Sequence, residues 1–407
     1  AVILSGILFK ALMRQGTLRV IDHRGKVHEY SGKPGKTVTI RLHKASLDLK
    51  FFWNPRLNVG EAYMDGSMTL EDGATIYDFI DLVGANLHLL DDTLVVRVRN
   101  WLTQFVRPIQ QHNPLGIARK NVAHHYDLSD ELFDLFLDSD RQYSCAYFDS
   151  AESTLEEAQL AKKRHLAAKL LFDRPGLKTL DIGSGWGGLG LYLNQEAGAD
   201  VTGVTLSTEQ QKFAEARTKK LGVEDQVRFL LRDYREEKGP YDRIVSVGMF
   251  EHVGITHYSE FFRQLKNLLK EDGIAVIHFI GRWDGPSVTN PWLRKYIFPG
   301  GYCPSLSEVF KVLERSGLKV LDVEMLRLHY ADTLKMWAQN FAANRDKVKE
   351  LYDEKFCRMW EFYLAGSEVA FRRQDHMIAQ FQIARDQEAA PLTRDYMVDW
   401  ERAHTGS

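Results

Sequence analysis

From residue 151 onward the apolar positions switch repeatedly between a helical and a strand period. TLEEAQLAKKRHLAAKLLF reads as a helix, opened by a capping box in which Thr154 precedes Glu157 by three. LKTLDIG is a strand and GGLGLYLNQEAG a helix. ADVTGVTL is a strand, and STEQQKFAEARTKKLG a helix capped by Ser207 or Thr208. QVRFLLRD and YDRIVSVGMF are strands, HYSEFFRQLKNLLKEDG a helix, GIAVIHFIG a strand, PSLSEVFKVLERSG a helix and LKVLDVEMLRL a strand. This rhythm predicts a parallel, doubly wound α/β sheet. Residues 334–366 read as a long helical insertion after it. HMIAQFQIAR then reads as a last strand, antiparallel at the edge.

The first third follows another pattern. TLRVIDHRG, KVHEYSG and KTVTIRLH are β-branched and punctuated by Gly and Pro, as short strands are, and SLDLKFFWNP continues the alternation. Mixed turns and a helix follow up to GANL. Residues 84–122 read as helical and then basic, and the domain boundary is expected at 115–125, after Pro114 and Gly116. AVILSGILFKALMRQG reads as an amphipathic helix. Its apolar run is too short to span a bilayer, and no basic stretch precedes it as in a signal peptide. The organisation expected is an amino-terminal domain over 1–120 and a catalytic domain over 121–407, with a helical insertion at about 334–370.

Composition changes this picture little. The 407 residues carry a net charge of −2, which gives no global electrostatic case for nucleic acid. The charge is unevenly spread, however: residues 1–50 hold ten Lys or Arg against three Asp or Glu. That excess is either a solvated face or a surface for anionic phosphates or a membrane. The three cysteines, Cys145, Cys303 and Cys357, form no CxxC, so neither a disulfide framework nor a metal site is expected.

Chemistry concentrates at the strand ends. LDIGSGWGG, 180–188, follows the first strand of the α/β rhythm and opens a helix, so its glycines let backbone approach a ligand at a helix N-terminus. Gly183, Gly185 and Gly188 satisfy GxGxxG, the dinucleotide fingerprint. Two features oppose that reading. Asp181 precedes the glycines, as in methyltransferases that use S-adenosylmethionine, and the next strand ends in Thr205 where an acid would hold an NAD ribose. VGMFEHVG places Glu251 and His252 at the end of an apolar strand, and VIHFIG places His278 at the end of the next.

These blocks, together with HHYDLSDELFDLFLD (124–138), RQYSCAYF (141–148) and VTGVTLSTEQ (201–210), resemble the cyclopropane-fatty-acyl-phospholipid synthases and the mycolic acid cyclopropane synthases. The resemblance covers roughly residues 120–340, and less sharply residues 1–115. It implies a class I methyltransferase fold with a Rossmann-like doubly wound sheet, plus a smaller α+β amino-terminal domain. It implies S-adenosylmethionine as methyl donor. Gly183, Ser184 and Gly185 would hold the methionine part, covered from the other side by Tyr143 and Ser144. Thr205 and Gln210 would meet the ribose, and Asp233 and Tyr234 would border the adenine. It further implies a bound bicarbonate as base, held by Cys145, Glu251, His278 and Tyr330 with main-chain help at Ile280. Read alone, Cys145 is first of all a small buried hydrophobe, and the alternative for Tyr234 is a half-buried loop aromatic.

The implied substrate explains why such a site needs an acid and a histidine. An alkene is a poor nucleophile, and taking a methyl group leaves a carbocation. That cation needs a dry slot and a nearby base before the ring can close. The activity expected is cyclopropane formation on unsaturated phospholipid chains by a cytoplasmic enzyme at the inner face of the membrane. The amino-terminal domain would contact lipid and serve in homodimerisation. Methyl-branched or methylene products from the same cation, a small-amine N-methyltransferase, and a lipid-binding protein with a relic pocket are the alternatives.

Overall fold

The computed structural model describes residues 4–88 and 128–405. The expected boundary at 115–125 and the start of the HHYDLSDELFDLFLD block lie outside the described residues. In chain order the elements are α1 (Leu4–Leu12), β1 (Gln15–Ile21), β2 (Val27–Ser31), β3 (Lys33–Leu42), α2 (Ser46–Trp53), α3 (Pro55–Met64), β4 (Met68–Glu71) and α4 (Ile76–His88). Then come α5 (Asp130–Phe136), α6 (Leu155–Leu170), β5 (Lys178–Ile182), α7 (Gly188–Ala197), β6 (Asp200–Thr205), α8 (Thr208–Leu221), β7 (Val227–Leu231), β8 (Tyr241–Val247), α9 (Tyr258–Leu268) and β9 (Leu269–Arg282). The chain ends with α10 (Pro291–Tyr296), α11 (Leu306–Ser316), β10 (Lys319–Met325), α12 (His329–Ala343), α13 (Arg345–Leu351), α14 (Glu354–Arg373), β11 (His376–Ala384) and α15 (Asp395–Ala403).

These elements form two compact units. The first joins residues 4–88 to Ser287–Pro299 and Leu334–His376. Its sheet has the order β2-β1-β3-β4, and Leu18, Val20, Val38 and Ile40 on the inward face pack with Leu47, Phe51, Phe79 and Leu82. Helix α14 belongs to this unit and adds Phe362 and Ala365 to that core. The helical insertion in the α/β part is therefore structurally part of the amino-terminal unit. SLDLKFFW is a helix rather than the expected strand. Its Leu47 and Phe51, four residues apart, are buried while Leu49 between them is half exposed, which is a helical burial period.

The second unit contains a seven-stranded sheet of order β10-β11-β9-β8-β5-β6-β7. The pairs β6–β7, β5–β6, β5–β8 and β8–β9 are parallel, as the alternating pattern predicts. β11 runs antiparallel to β10, but it lies between β10 and β9 and not at the edge. Its burial explains the position, because eight of its nine residues are buried and an edge strand would leave one side open.

The two faces of this sheet differ in chemistry. Along each strand, alternate residues fall into separate clusters: Leu180, Ile182, Ile244, Ala275, Ile277, Ala379 and Phe381 in one, Val201, Val245 and Val276 with Leu166 of α6 in the other. The parity of Val276 places His278 on the α6 face. Asp181, Gln380 and Gln382 alternate with members of the first cluster and so share that face. A polar layer thus lies between α6 and the sheet, opposite a face packed mainly by apolar side chains.

Candidate active site

The glycine loop leaves β5 on a backbone that needs glycine. Gly183, Gly185 and Gly187 have φ of 80°, 54° and 86°. At Gly187 a Cβ would also stand 2.7 Å from the Phe229 ring, so this turn tolerates no side chain. A pocket opens beside the loop, lined by Gly183 and Gly185, by Thr205, Leu206 and Gln210 after β6, by Asp233, Tyr234 and Arg235 after β7, and by Gly248, Met249 and His252 after β8. It therefore sits at the carboxyl ends of adjacent parallel strands.

The polar groups of the pocket are prearranged. The Thr205 hydroxyl donates to Gln210 Oε1 at 3.0 Å and accepts the Ser207 N–H at 3.2 Å, so the amide NH2 is the end of Gln210 that Thr205 leaves unused. Asp233 is held by Arg235, whose main-chain N–H and guanidinium both bond its carboxylate at 2.9 Å. The Tyr234 ring packs edge-on against Phe261. His252 lines the same pocket, and burial lowers its pKa to about 4. Ser184 is buried, and its Oγ has no hydrogen-bond partner. Tyr143 and Ser144 do not line this pocket. Tyr143 packs against Phe133 and Phe136, and Ser144 is held by α6.

His278 lies within β9, level with the last residue of β8, and Glu251 follows β8 after a short loop. Val247 of β8 is paired with His278 of β9, and the Gly248 N–H donates to the His278 carbonyl at 2.8 Å. Glu251 follows on a short 3-10 turn, Phe250–His252. Its Oε1 accepts the Ile280 N–H at 2.6 Å, so the main chain of Ile280 orients this carboxylate. The other oxygen, Oε2, is buried without a partner, and burial pushes the Glu251 pKa up to about 7. His278 is also buried. Gln380 faces its Nδ1 at 3.0 Å, and Nε2 has no partner. Burial, reinforced by the charges of Lys162, Lys169 and His165, holds its pKa well below the usual range, so the ring is neutral.

Cys145 and Tyr330 are brought to one another's elements. The Ala146 N–H donates to Thr333 Oγ1 at 3.0 Å, which ties the Cys145 segment to α12, the helix that carries Tyr330. Burial raises the Cys145 thiol far above neutrality, which excludes a thiolate nucleophile. Both residues are buried. Sequence reasoning missed the helix behind them. Lys162 of α6 is 1% exposed and donates to Gln142 Oε1 and Ser144 Oγ, both at 2.7 Å, while Gln159 donates to the Gln142 and Ser144 carbonyls. Burial lowers the Lys162 pKa to about 8, and its charge acts on Cys145, Asp181 and His278 alike. Asp181 is itself raised to about 7 by burial, against the pull of Lys162.

A family model described as mycolic acid cyclopropane synthetase matches residues 115–381. The chain belongs to this family. Over 347 residues it is 40% identical to a probable fatty acid methyltransferase of Pseudomonas putida, covering 84% of this chain and 85% of that one. A cyclopropane-fatty-acyl-phospholipid synthase of Escherichia coli is 36% identical over 332 residues, covering 81% and 83%. Among solved structures, a mycolic acid cyclopropane synthase in complex with SAH and CTAB is 34% identical with a TM-score of 0.62, covering 67% of this chain and 99% of that one. The family's solved members share the Rossmann-like sheet described above, and the expected class I methyltransferase fold holds. Among the described residues no group of His, Cys, Asp and Glu could hold a metal ion.

Proposed function

We propose that this protein transfers a one-carbon unit from S-adenosylmethionine to the cis double bond of an unsaturated phospholipid acyl chain and closes a cyclopropane ring. The observation that carries this reading is the pair of buried, unpartnered atoms, Glu251 Oε2 just after β8 and His278 Nε2 on the adjacent β9. Burying unsatisfied polar groups is costly, and a methyltransferase acting on a lone pair does not need them.

In this reading Gly183, Ser184 and Gly185 hold the methionine part of the donor, Thr205 and Gln210 the ribose, and Asp233 and Tyr234 the adenine. Tyr143 and Ser144 lie outside the pocket lining, on the segment that α6 pins, and would reach the donor only when it is bound. The alkene π electrons form a bond to the donor methyl while its carbon–sulfur bond breaks. The cation left on the other alkene carbon loses a proton from the new methyl, and the C–H electrons close the ring. The buried surroundings keep water from that cation. Cys145, Glu251, His278 and Tyr330 would hold a small oxyanion such as bicarbonate, since His278 Nε2 and Glu251 Oε2, on a carboxyl whose pKa burial raises to about 7, are buried and without partners. Bicarbonate, when bound, supplies the base for that proton.

A second reading is favoured by the Pseudomonas relative. The activity in that relative's name, fatty acid methylation, is reached from the same cation when a different proton is lost. Both readings are tested by incubating the protein with vesicles of unsaturated phospholipid and S-adenosylmethionine, with Glu251→Gln in parallel. A gain of one CH2 with upfield ring protons, abolished in the variant, supports ring closure. A gain of CH2 without ring protons supports the second reading, and no gain overturns both.

The first unit supports contact with a membrane surface. Helix α2 exposes Trp53 (76%) and Leu49 beside Lys50, and α1, bonded to it through Ser5 and Asp48, exposes Ile7 and Lys10. No helix among the described residues is long and apolar enough to cross a membrane. A Trp53→Ser, Leu49→Ser double variant is expected to sediment several-fold less with anionic vesicles at low salt. Unchanged sedimentation would remove α2 from the contact.

A further inference from the structure

The polar layer between α6 and the sheet determines which nitrogen of His278 carries the proton. Lys169 Nζ donates to Gln380 Oε1 and is ion-paired with Glu324. An ammonium only donates, so the carbonyl end of the Gln380 side chain must face Lys169. The NH2 end then faces His278 Nδ1, at 3.0 Å. An amide NH2 also only donates, so Nδ1 must be the unprotonated nitrogen. The ring is neutral, buried among the cationic Lys162, Lys169 and His165, and its one proton therefore sits on Nε2, the atom without a partner.

We propose that Lys169 and Gln380 are positioning residues that lock His278 as the Nε2–H tautomer, so that the imidazole offers a hydrogen-bond donor to the reaction site. This rests on the placement of His278 in that site. The anchoring continues outward from the lysine. Glu324 also accepts from His165 Nε2 at 2.7 Å, and His165 Nδ1 faces Glu401 of α15. With a carboxylate on each nitrogen, His165 is an imidazolium: burial opposes that charge, and the bonds to Glu324 and Glu401 outweigh it. Tyr147 stacks on the His165 ring at 4.1 Å. Gln382 Nε2 donates to the Lys169 carbonyl at 2.7 Å, tying β11 to the same turn of α6. Without Lys169, nothing in this arrangement would stop the Gln380 amide from exchanging its two ends, which have the same shape. The amide could then accept from Nδ1–H and turn His278 into an acceptor toward the site. The chain is an anchor and not a proton path, because a carboxamide does not relay a proton without changing its own bonding.

The test is long-range proton–nitrogen correlation NMR on full-length protein carrying 15N-histidine, with His278 assigned by its disappearance in His278→Gln. The wild type is expected to show a protonated Nε2 and a bare Nδ1 at His278. Lys169→Met is expected to give the opposite or a mixed pattern, and Lys169→Arg, which still only donates, to keep the wild-type pattern. Gln380→Leu serves as a second route to the mixed pattern if Lys169→Met does not fold. A wild-type ring protonated at Nδ1, or an unchanged tautomer in folded Lys169→Met or Gln380→Leu, overturns the inference. Turnover on unsaturated vesicles is expected to fall at least tenfold in Lys169→Met and to recover in Lys169→Arg. A changed tautomer with undiminished turnover would leave the lock standing and overturn the catalytic placement of His278.

Discussion

At the scale of single residues, Glu251 combines two opposed requirements. Its folded pKa of about 7 lies above the usual carboxylate value because the group is buried. Between about pH 4.5 and 7 the unfolded chain has already lost this proton while the folded protein retains it. The folded state is therefore favoured at the acid end of that window and loses stability as pH rises through it. Glu251→Gln keeps an oxygen for the Ile280 N–H and removes the charge. It is expected to stabilise the protein by about 1–3 kcal/mol at pH 8 and by little at pH 5, measured by urea denaturation at both values. The same variant is expected to lose turnover by about 100-fold or more. A variant that is active, or one destabilised at pH 8, contradicts this account of the residue. Glu251 and His278 were legible in the sequence because each stands in or just after an apolar strand, where a buried polar side chain must find a partner or a ligand. The bond from Ile280 to Glu251 was not legible, since it depends on how the turn after β8 folds back over β9.

At the scale of elements, α6 is the part that sequence reasoning read least well. Its start was plain: Thr154 and Glu157 form the expected capping box, and Thr154→Ala is expected to lower stability by about 1 kcal/mol, visible in thermal denaturation. Its function was hidden by composition, because AKKRHLAAK looks like a solvated charged helix. The signal lay in the spacing. Gln159, Lys162, His165 and Lys169 recur at three or four residues on the side where Leu155, Ala158 and Leu166 are also buried. Polar residues on the buried stripe of a helix must find partners, and here they find Ser144, Glu324 and Gln380. Lys162→Met fills similar volume without the charge, so the fold is expected to survive. Turnover is expected to fall at least tenfold as Ser144 loses its anchor, and a fully active Lys162→Met would show that the helix only packs. The opposite error was made at α2, where Leu47, Leu49 and Phe51 alternate as in a strand. Tertiary packing selected the helix, burying the first and third and exposing the second.

At the scale of the whole molecule, the α/β rhythm was sufficient for the second unit, strand by strand, up to the last one. The place of β11 inside the sheet was not legible, because an antiparallel strand arriving after a long insertion carries no mark of its neighbours. Nor was it visible that residues 334–376 would join the amino-terminal unit, since that depends on which core Phe362 and Ala365 enter. The buried charges set a pH profile for stability. Glu324 is held near 2, burial notwithstanding, by His165 and Lys169, so its contribution is present above about pH 4.5 and lost as pH falls toward 2. His165 is raised, so its contribution is present below its unfolded value near 6.5 and lost as pH rises through the folded one. His252 and His278, buried and neutral, add a loss of stability as pH falls below about 6.5, so the urea midpoint is expected to be lower at pH 3 than at pH 6.

The account's central claim is that a methyl group is added to an alkene and then gives up one of its own protons. Donor S-adenosylmethionine with a fully deuterated methyl group, supplied with vesicles of cis-unsaturated phospholipid, tests this directly by mass spectrometry and proton NMR of the released acyl chains. The account predicts a product that keeps two of the three deuterium atoms, with upfield ring protons on the former alkene carbons. A product that keeps all three deuterium atoms as an intact methyl branch, or an acyl chain with no label, would contradict it.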